Sequence, residues 1–247
     1  YYITQGIDDI YIIDDNSKDK KSLKELDYYF KNIHITYDNE IIKKNSIKNV
    51  YQTIKESFTW IIHVDVDEYI ATKKNITRTI REELFLNFNS FDCVKIPWVM
   101  MSSNKRKKNP TNLLEENIYR WNHNLKHVNQ IHKFRCRYNE IECKSIFKPN
   151  VFNDIDDHLP LESNIKSPLY VDSINIEPSD STPFYQRLRE KDIKNGHFLC
   201  YHYRIISEEN NLAKLKNNIW YIENEYTLSD LNNSDHAEVR DYTMANK

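Results

Sequence analysis

Only two of the 247 residues are glycine, Gly6 and Gly196, where average usage would place roughly 17. Glycine reaches φ > 0 without steric cost and lets a backbone approach a ligand closely. With two of them so far apart, neither the G-x-G-x-x-G dinucleotide turn nor the G-x-x-x-x-G-K-[ST] phosphate loop can be written. The glycine-flanked nucleophile elbow and Gly/Ser linkers are excluded in the same way. A nucleotide bound by this chain is therefore held by side chains or a metal and not by a glycine cradle.

What the chain does carry is periodicity. Ile10-Tyr11-Ile12-Ile13 is a short apolar run that enters Asp14-Asp15-Asn16-Ser17, a strand ending in a polar loop. Leu23, Leu26 and Phe30 recur at helical spacing between Asp19 and Phe30. A second strand is expected at 33–37, and a second helix over 46–58 on Ile47, Val50, Tyr51, Ile54 and Phe58. Trp60 to Val64 then runs into Asp65-Val66-Asp67-Glu68, followed by a helix near 77–88 and a strand from Cys93 to Met101. Strands alternating with helices of this length predict βαβ units, hence an α/β fold with a mainly parallel sheet flanked by helices. In such sheets ligands bind beyond the carboxyl ends of strands. Both acidic clusters, at 14–15 and 65–68, fall there.

The second half is less regular. Lys105-Arg106-Lys107-Lys108 reads as part of an exposed loop, and short strands are expected at 117–121, 131–136, 143–147 and 197–203. Residues 149–183, rich in Pro, Asp, Asn and Ser, read as a long loop over the sheet. A last helix is expected from Ser207 through Leu212, Leu215, Ile219 and Ile222. Residues 1–228 form one expected domain, and the polar segment 229–247 reads as a tail or the start of a linker.

Composition narrows the partners. With 39% hydrophobic and 13% aromatic residues the chain is not expected to be disordered. Its 35 basic and 37 acidic residues nearly cancel, so charge gives no reason to expect nucleic acid. No apolar run approaches the ~20 residues of a membrane span. The chain begins at Tyr1 rather than Met and reads as an excised domain. Cys93, Cys136, Cys143 and Cys200 show no zinc spacing; buried thiols and two disulfides both fit.

On a strand, Asp65 and Asp67 at i and i+2 would face the same side, and two such carboxylates repel. A divalent cation relieves that conflict, because Mg²⁺ and Mn²⁺ prefer oxygen ligands. Three readings stand. An acidic loop at a strand end is one. A haloacid-dehalogenase-like phosphatase, with Asp65 as nucleophile and Asp67 as acid/base, is the second. Against it, Tyr69 stands where that pattern wants Thr or Val, and Asp156-Asp157 lies in a polar stretch.

The third rests on a resemblance. Gly6-Ile7-Asp8-Asp9-Ile10-Tyr11-Ile12-Ile13-Asp14-Asp15-Asn16-Ser17-Lys18-Asp19 resembles the "G-h-D-x-h-x-h-x-D-x-x-S-x-D" segment of nucleotide-sugar glycosyltransferases of GT-A fold. Trp60-Ile61-Ile62-His63-Val64-Asp65-Val66-Asp67-Glu68-Tyr69-Ile70 resembles the "W-h-x-x-h-D-h-D-E-F-h" signature of glycosyltransferase family 92 and its family-2-like relatives. Lys144 to Pro149 with His158, and Cys200 to Arg204 with Ser207 and Lys214, resemble their later blocks. The four blocks occur in order across nearly the whole chain.

The resemblance implies a GT-A-like (Rossmann-like) domain with its first strand missing. It further implies an inverting enzyme that moves a sugar from a nucleotide-sugar donor, UDP-linked, to a glycan or other hydroxyl acceptor. Asp65, Asp67 and His202 would hold Mn²⁺ or Mg²⁺ against the diphosphate, though a core histidine is the plainer reading of His202. Asp14 and Asp15 would bind uridine or ribose. Lys144 and Lys148 would neutralise phosphate or serve as ordinary surface lysines. An inverting displacement needs a general base, for which Asp156, Asp157 and His158 are the candidates. The missing strand leaves a further alternative, a glycan- or protein-binding module on a degenerate transferase fold.

Overall fold

The two tyrosines that open the chain hold the edge of a strand formed some 70 residues later. Tyr1 donates to the Ile70 carbonyl, and the Tyr2 hydroxyl donates to the Glu68 carbonyl while accepting from the Ile70 amide. The turn that follows ends at Gly6 with φ 82°, the left-handed conformation that only glycine adopts cheaply. A Cβ there would lie 2.9 Å from Arg81 Cβ. This structure, a computed structural model, describes residues 1–15, 17, 20–38, 43–127, 136–137, 140–180 and 185–247.

The first βαβ unit forms as expected. Strand β1 (Ile10–Asp15) is followed by helix α1 (Lys21–Tyr29) and by β2 (Ile33–Asp38), which pairs with β1 in parallel, Ile12 beside Ile35. Helix α2 (Lys43–Ile54) buries Ile47 and Tyr51 in a cluster with Cys93, Phe147 and Phe152. The Tyr51 hydroxyl donates to the Phe152 carbonyl at 2.7 Å. Strands β3 (Ile61–Ile62) and β4 (Glu68–Thr72) come next. Helix α3 (Ile80–Glu83) is started by a Thr79/Glu82 capping box and runs on as a π turn to Phe88.

Strand β5 (Cys93–Ser102) is buried along its whole length and organises the main sheet. Then come helix α4 (Leu113–Glu116), β6 (Tyr119–Arg120), β7 (Cys136–Arg137) and β8 (Glu140–Phe147). The hairpin β9 (Phe152–Ile155) and β10 (Pro160–Ser163) precedes three short strands, β11 (Tyr170–Asp172), β12 (Glu177–Pro178) and β13 (Tyr185–Gln186). Helix α5 (Glu190–Asn195) leads into β14 (Phe198–His202). The chain closes with α6 (Glu208–Asn217), α7 (Ile219–Glu223), α8 (Leu228–Asn233) and β15 (Val239–Arg240).

The fold is α/β, but the sheet is mixed and not mainly parallel. β5 runs parallel to β11 and β14 and antiparallel to β8 and β6, while β14 is antiparallel to β4. β1 and β2 form a separate two-stranded sheet. The antiparallel pairs that make the sheet mixed, β5–β8, β3–β8 and β14–β4, join strands distant in sequence, which local alternation of strand and helix does not set.

Other expectations change in detail. Residues 149–183 are not a bare loop: four short strands, β9 to β12, run through them. The last helix is interrupted at Asn218, whose side chain caps α7 by accepting from the Trp220 and Tyr221 amides. As a result Leu212, Ile219 and Ile222 are exposed and Tyr221 is buried instead. The polar segment 229–247 packs, with Leu231, Asp241, Thr243 and Met244 buried. Its polarity belongs to inward ion pairs, for Asp241 accepts from Arg120 at 2.8 Å and from Lys73 at 3.1 Å. Cys93, Cys143 and Cys200 are buried free thiols; the Cys136 side chain lies outside the described residues. Among those residues no helix is long and apolar enough to cross a membrane.

Candidate functional site

Asp65, Val66 and Asp67 do not continue a strand; they make the turn from β3 into β4. The Glu68 amide donates to the Asp65 carbonyl at 3.0 Å, and the Asp65 amide donates to Glu68 Oε2 at 2.8 Å. Val66 at the tip is 93% exposed. The two aspartates therefore leave the turn toward different partners rather than sharing a face by strand alternation.

Asp65 and Glu68 turn to Lys144. This lysine is 0% exposed on β8, with its Nζ 3.3 Å from Asp65 Oδ2, 3.1 Å from Glu68 Oε2 and 2.7 Å from the Asp157 carbonyl. Burial works against the ammonium, but Glu68 and Asp65 beside it outweigh that and hold it protonated. Burial pushes Glu68 up to about 7, against the pull of Lys144. Glu68 Oε1 is buried with no hydrogen-bond partner.

Asp67 turns the other way. Lys214 of α6 donates to its Oδ2 at 2.8 Å and to the Arg204 carbonyl at 2.7 Å. His202 Nε2 lies 3.7 Å from Asp67 Oδ1. The register of β14 dictates that proximity, because His202 pairs with Glu68 on β4 and the Tyr203 amide donates to the Asp67 carbonyl. Burial raises the Asp67 carboxyl, but the Lys214 ammonium, which donates to it, outweighs that and holds it below the usual range. Burial drives His202 down to about 3 despite Asp67, so the ring is neutral. Its Nδ1 is buried and unpartnered.

The β9–β10 hairpin brings in the third segment. Asp156 spends Oδ1 on the amides of His158 at 2.8 Å and Leu159 at 3.0 Å, which shapes the turn. The Asp157 carbonyl accepts from Lys144 and from His63 Nδ1, and its carboxylate Oδ1 is buried without a partner. His158 Nδ1 stands 3.0 Å from the Cys143 carbonyl, and its Nε2 is 3.7 Å from Glu142 Oε1. A carbonyl only accepts, so Nδ1 carries the proton and Nε2 the lone pair. Burial and Lys144 lower the His158 pKa, with Glu142 pulling the other way.

Trp98 joins the parts. Its ring centroid lies 5.4 Å from that of His158 and 4.3 Å from that of His202, and its Nε1 is buried with no hydrogen-bond partner. Trp98 sits inside the apolar run of β5, and Glu142 alternates with Glu140 and Lys144 on β8, just before the strand expected at 143–147. Lys214 stands in the closing block, yet only the fold aims it at Asp67.

Not every expected residue arrives here. Asp14 lies one residue before the end of β1, buried, with Oδ1 accepting from the Ser17 amide at 3.0 Å and Oδ2 without a partner among the described residues. It closes a different sheet from the Asp65 turn. The backbone of Asp15 follows it in β1, while its side chain, with Asn16, Lys18 and Asp19, lies outside the described residues. Lys148 is four residues past Lys144, roughly 13 Å along an extended strand. It donates to the Asn89 carbonyl at 2.8 Å, sits 3.8 Å from Asp92 and lies over the Trp60 ring. Those contacts fasten the start of β5.

Carboxylates with a neutral imidazole are a donor set that suits a divalent ion of the Mn²⁺ type. The 3.7 Å between Asp67 Oδ1 and His202 Nε2 is too long for a hydrogen bond. It lies within the ~4.2 Å that two ligands of one ion, each ~2.1 Å from it, can span. Asp67 and His202 could hold such an ion. Asp65 does not converge with them while Lys144 engages it. Among the described residues, the trio of ligand atoms lying within 4.8 Å of one another is elsewhere, at His127, His236 and Glu238. No protein-family model matches the chain, and no curated protein matches it with significant sequence similarity.

Proposed function

We propose that this chain is an inverting glycosyltransferase that takes a sugar from a nucleoside-diphosphate donor, UDP-linked, to a hydroxyl acceptor on a glycan. The observation that supports this most is convergence. Three separate resembling blocks touch one another here: Lys144 of the second pairs with Asp65 of the first, His202 and Lys214 of the third lie against Asp67, and Trp98 packs on both His158 and His202. Among the described residues, Glu68, Asp157, Trp98 and His202 each keep a buried polar atom with no hydrogen-bond partner, and a polar ligand would supply one.

The chemistry follows from the groups present. A departing nucleoside diphosphate accumulates charge, and a divalent ion, Mn²⁺ or Mg²⁺, held by Asp67 and His202 would supply charge neutralisation there. Lys214, bridging Asp67 and the Arg204 carbonyl, adds a fixed positive charge beside the same carboxylate. Lys144 keeps the Asp65–Glu68 turn in shape. Of the three base candidates, Asp156 is committed to its turn, and His158 has the right protonation state. Its Nδ1–H is tied to the Cys143 carbonyl and its Nε2 is available to take a proton from an acceptor hydroxyl. Glu142 stands 3.7 Å away to stabilise the imidazolium that forms.

A donor screen over UDP-, GDP- and CMP-sugars with Mn²⁺, following nucleotide release with and without a glycan acceptor, tests the reading. Release from one donor class that vanishes in Asp67→Asn is the expected result. Aryl-phosphate turnover that depends on Asp65, with no sugar-nucleotide turnover, would replace it by a phosphatase. Metal binding with neither turnover would leave a binding module.

A further inference from the structure

A second cluster of metal-ligating side chains lies apart from the Asp65 turn, where the loop after β6 meets the linker into β15. The antiparallel pairing of β6 with β15, Arg120 opposite Val239, brings the two segments together. His127 Nε2 lies 2.8 Å from Glu238 Oε1, and His236 Nδ1 lies 3.9 Å from the same oxygen. The three ligand atoms all fall within 4.8 Å of one another. Ligands of a tetrahedral Zn²⁺, each at ~2.0–2.2 Å, stand about 3.3 Å apart, so the observed spacings bracket what an ion requires.

Three features make the cluster a site rather than a coincidence of surface residues. The Asn122 amide donates to the other oxygen of Glu238 at 2.8 Å, which orients the carboxylate as outer contacts do at metal centres. The imidazoles stack with centroids 3.9 Å apart, which keeps both rings beside the Glu238 carboxylate. The Trp121 ring edges against both, 4.8 Å from His127 and 4.9 Å from His236, and closes one side with an apolar wall.

We infer that His127, His236 and Glu238 form a transition-metal site that ties the β6 loop to the C-terminal segment. Two imidazoles and one carboxylate favour the borderline ions, of which Zn²⁺ is the redox-inert member, over the Mg²⁺ or Mn²⁺ suited to carboxylates. As they stand the ring planes are only 20° apart, and an ion cannot lie in both planes. Capture therefore turns His236, the more exposed of the two rings, about its outer side-chain torsion, which is broad for histidine. Three protein ligands leave a fourth position for water or another ligand. This site does not depend on the transferase reading.

Calorimetric titration of the full chain with Zn²⁺, and visible absorption with Co²⁺, test it. One saturable equivalent per chain is expected, with the absorption of a low-symmetry Co²⁺ site and a rise in Tm as Zn²⁺ is added. His127→Ala and Glu238→Gln should each weaken binding by about tenfold or more. Glu238 is exposed enough for its variant to fold, which circular dichroism would check. No saturable equivalent in the wild type, or binding that neither variant weakens, would overturn the site.

Discussion

At His158 one hydrogen bond decides what the ring can do. Because the Cys143 carbonyl holds Nδ1–H, Nε2 is a proton acceptor whenever the ring is neutral. Its pKa lies below the ordinary 6.5 through burial and Lys144, so the basic form persists through neutral pH. If His158 is the base, the acid limb of kcat/KM falls below pH 6.5, since activity is lost only as the ring protonates. His158→Gln should cost about 10²–10⁴ in kcat with little change in donor KM; a full-rate variant with an unshifted profile would exclude the role. Lys144 is a second test at this scale. Removing one member of a buried ion pair costs about 3–5 kcal/mol, so Lys144→Met should lower the denaturant midpoint by that equivalent, and a variant as stable as wild type would contradict the pairing with Glu68. Gly6→Ala places a Cβ at φ 82° and against Arg81, at a cost of about 1–2 kcal/mol.

Among the elements, the C-terminal segment shows most plainly how polar residues can build structure. Asp241 accepts from Arg120 and Lys73 and from the Thr243 hydroxyl and amide. Burial raises its carboxyl, but Lys73, Thr243 and Arg120 outweigh that and hold it below the ordinary range. A depressed carboxyl stabilises the fold above its unfolded pKa, near 3.9, and loses that contribution as pH falls through the folded value. Asp241→Asn should therefore cost about 2–3 kcal/mol at pH 7, somewhat under a fully orphaned pair because Arg120 keeps Glu190. The difference from wild type should shrink below pH 4; a difference that grows there would reverse the assignment. The same segment marks a limit of pattern reading. A polar run carries no periodicity to say that its charges face inward, just as nothing in the Leu212–Ile222 stripe says that Asn218 would start a new helix. Most strands and helices of residues 10–101 were legible because they are runs of several apolar residues at a clear period; β4, which begins on the acidic Glu68 straight after the turn, was not. The pairs of residues that make β12 and β15 are too short to have one.

For the molecule as a whole, the central fact is which distant residues the mixed sheet brings together. The acidic turn at 65–68 and its position at a strand end could be read from the chain, as could His202 on a late strand. That Lys144 would be a buried counter-charge to Asp65 could not, because the β3–β8 and β5–β8 registers are long-range and no local pattern encodes them. Trp98 was hidden for the related reason that a buried strand is apolar whether or not it lines a site. Calorimetric binding of UDP to the full chain, with Mn²⁺ and then with chelator, for wild type and Asp67→Asn, tests the central claim most directly. The account predicts binding that requires Mn²⁺ and weakens by about tenfold or more in Asp67→Asn; UDP binding indifferent to both the metal and the substitution, or no UDP binding at all, would contradict it.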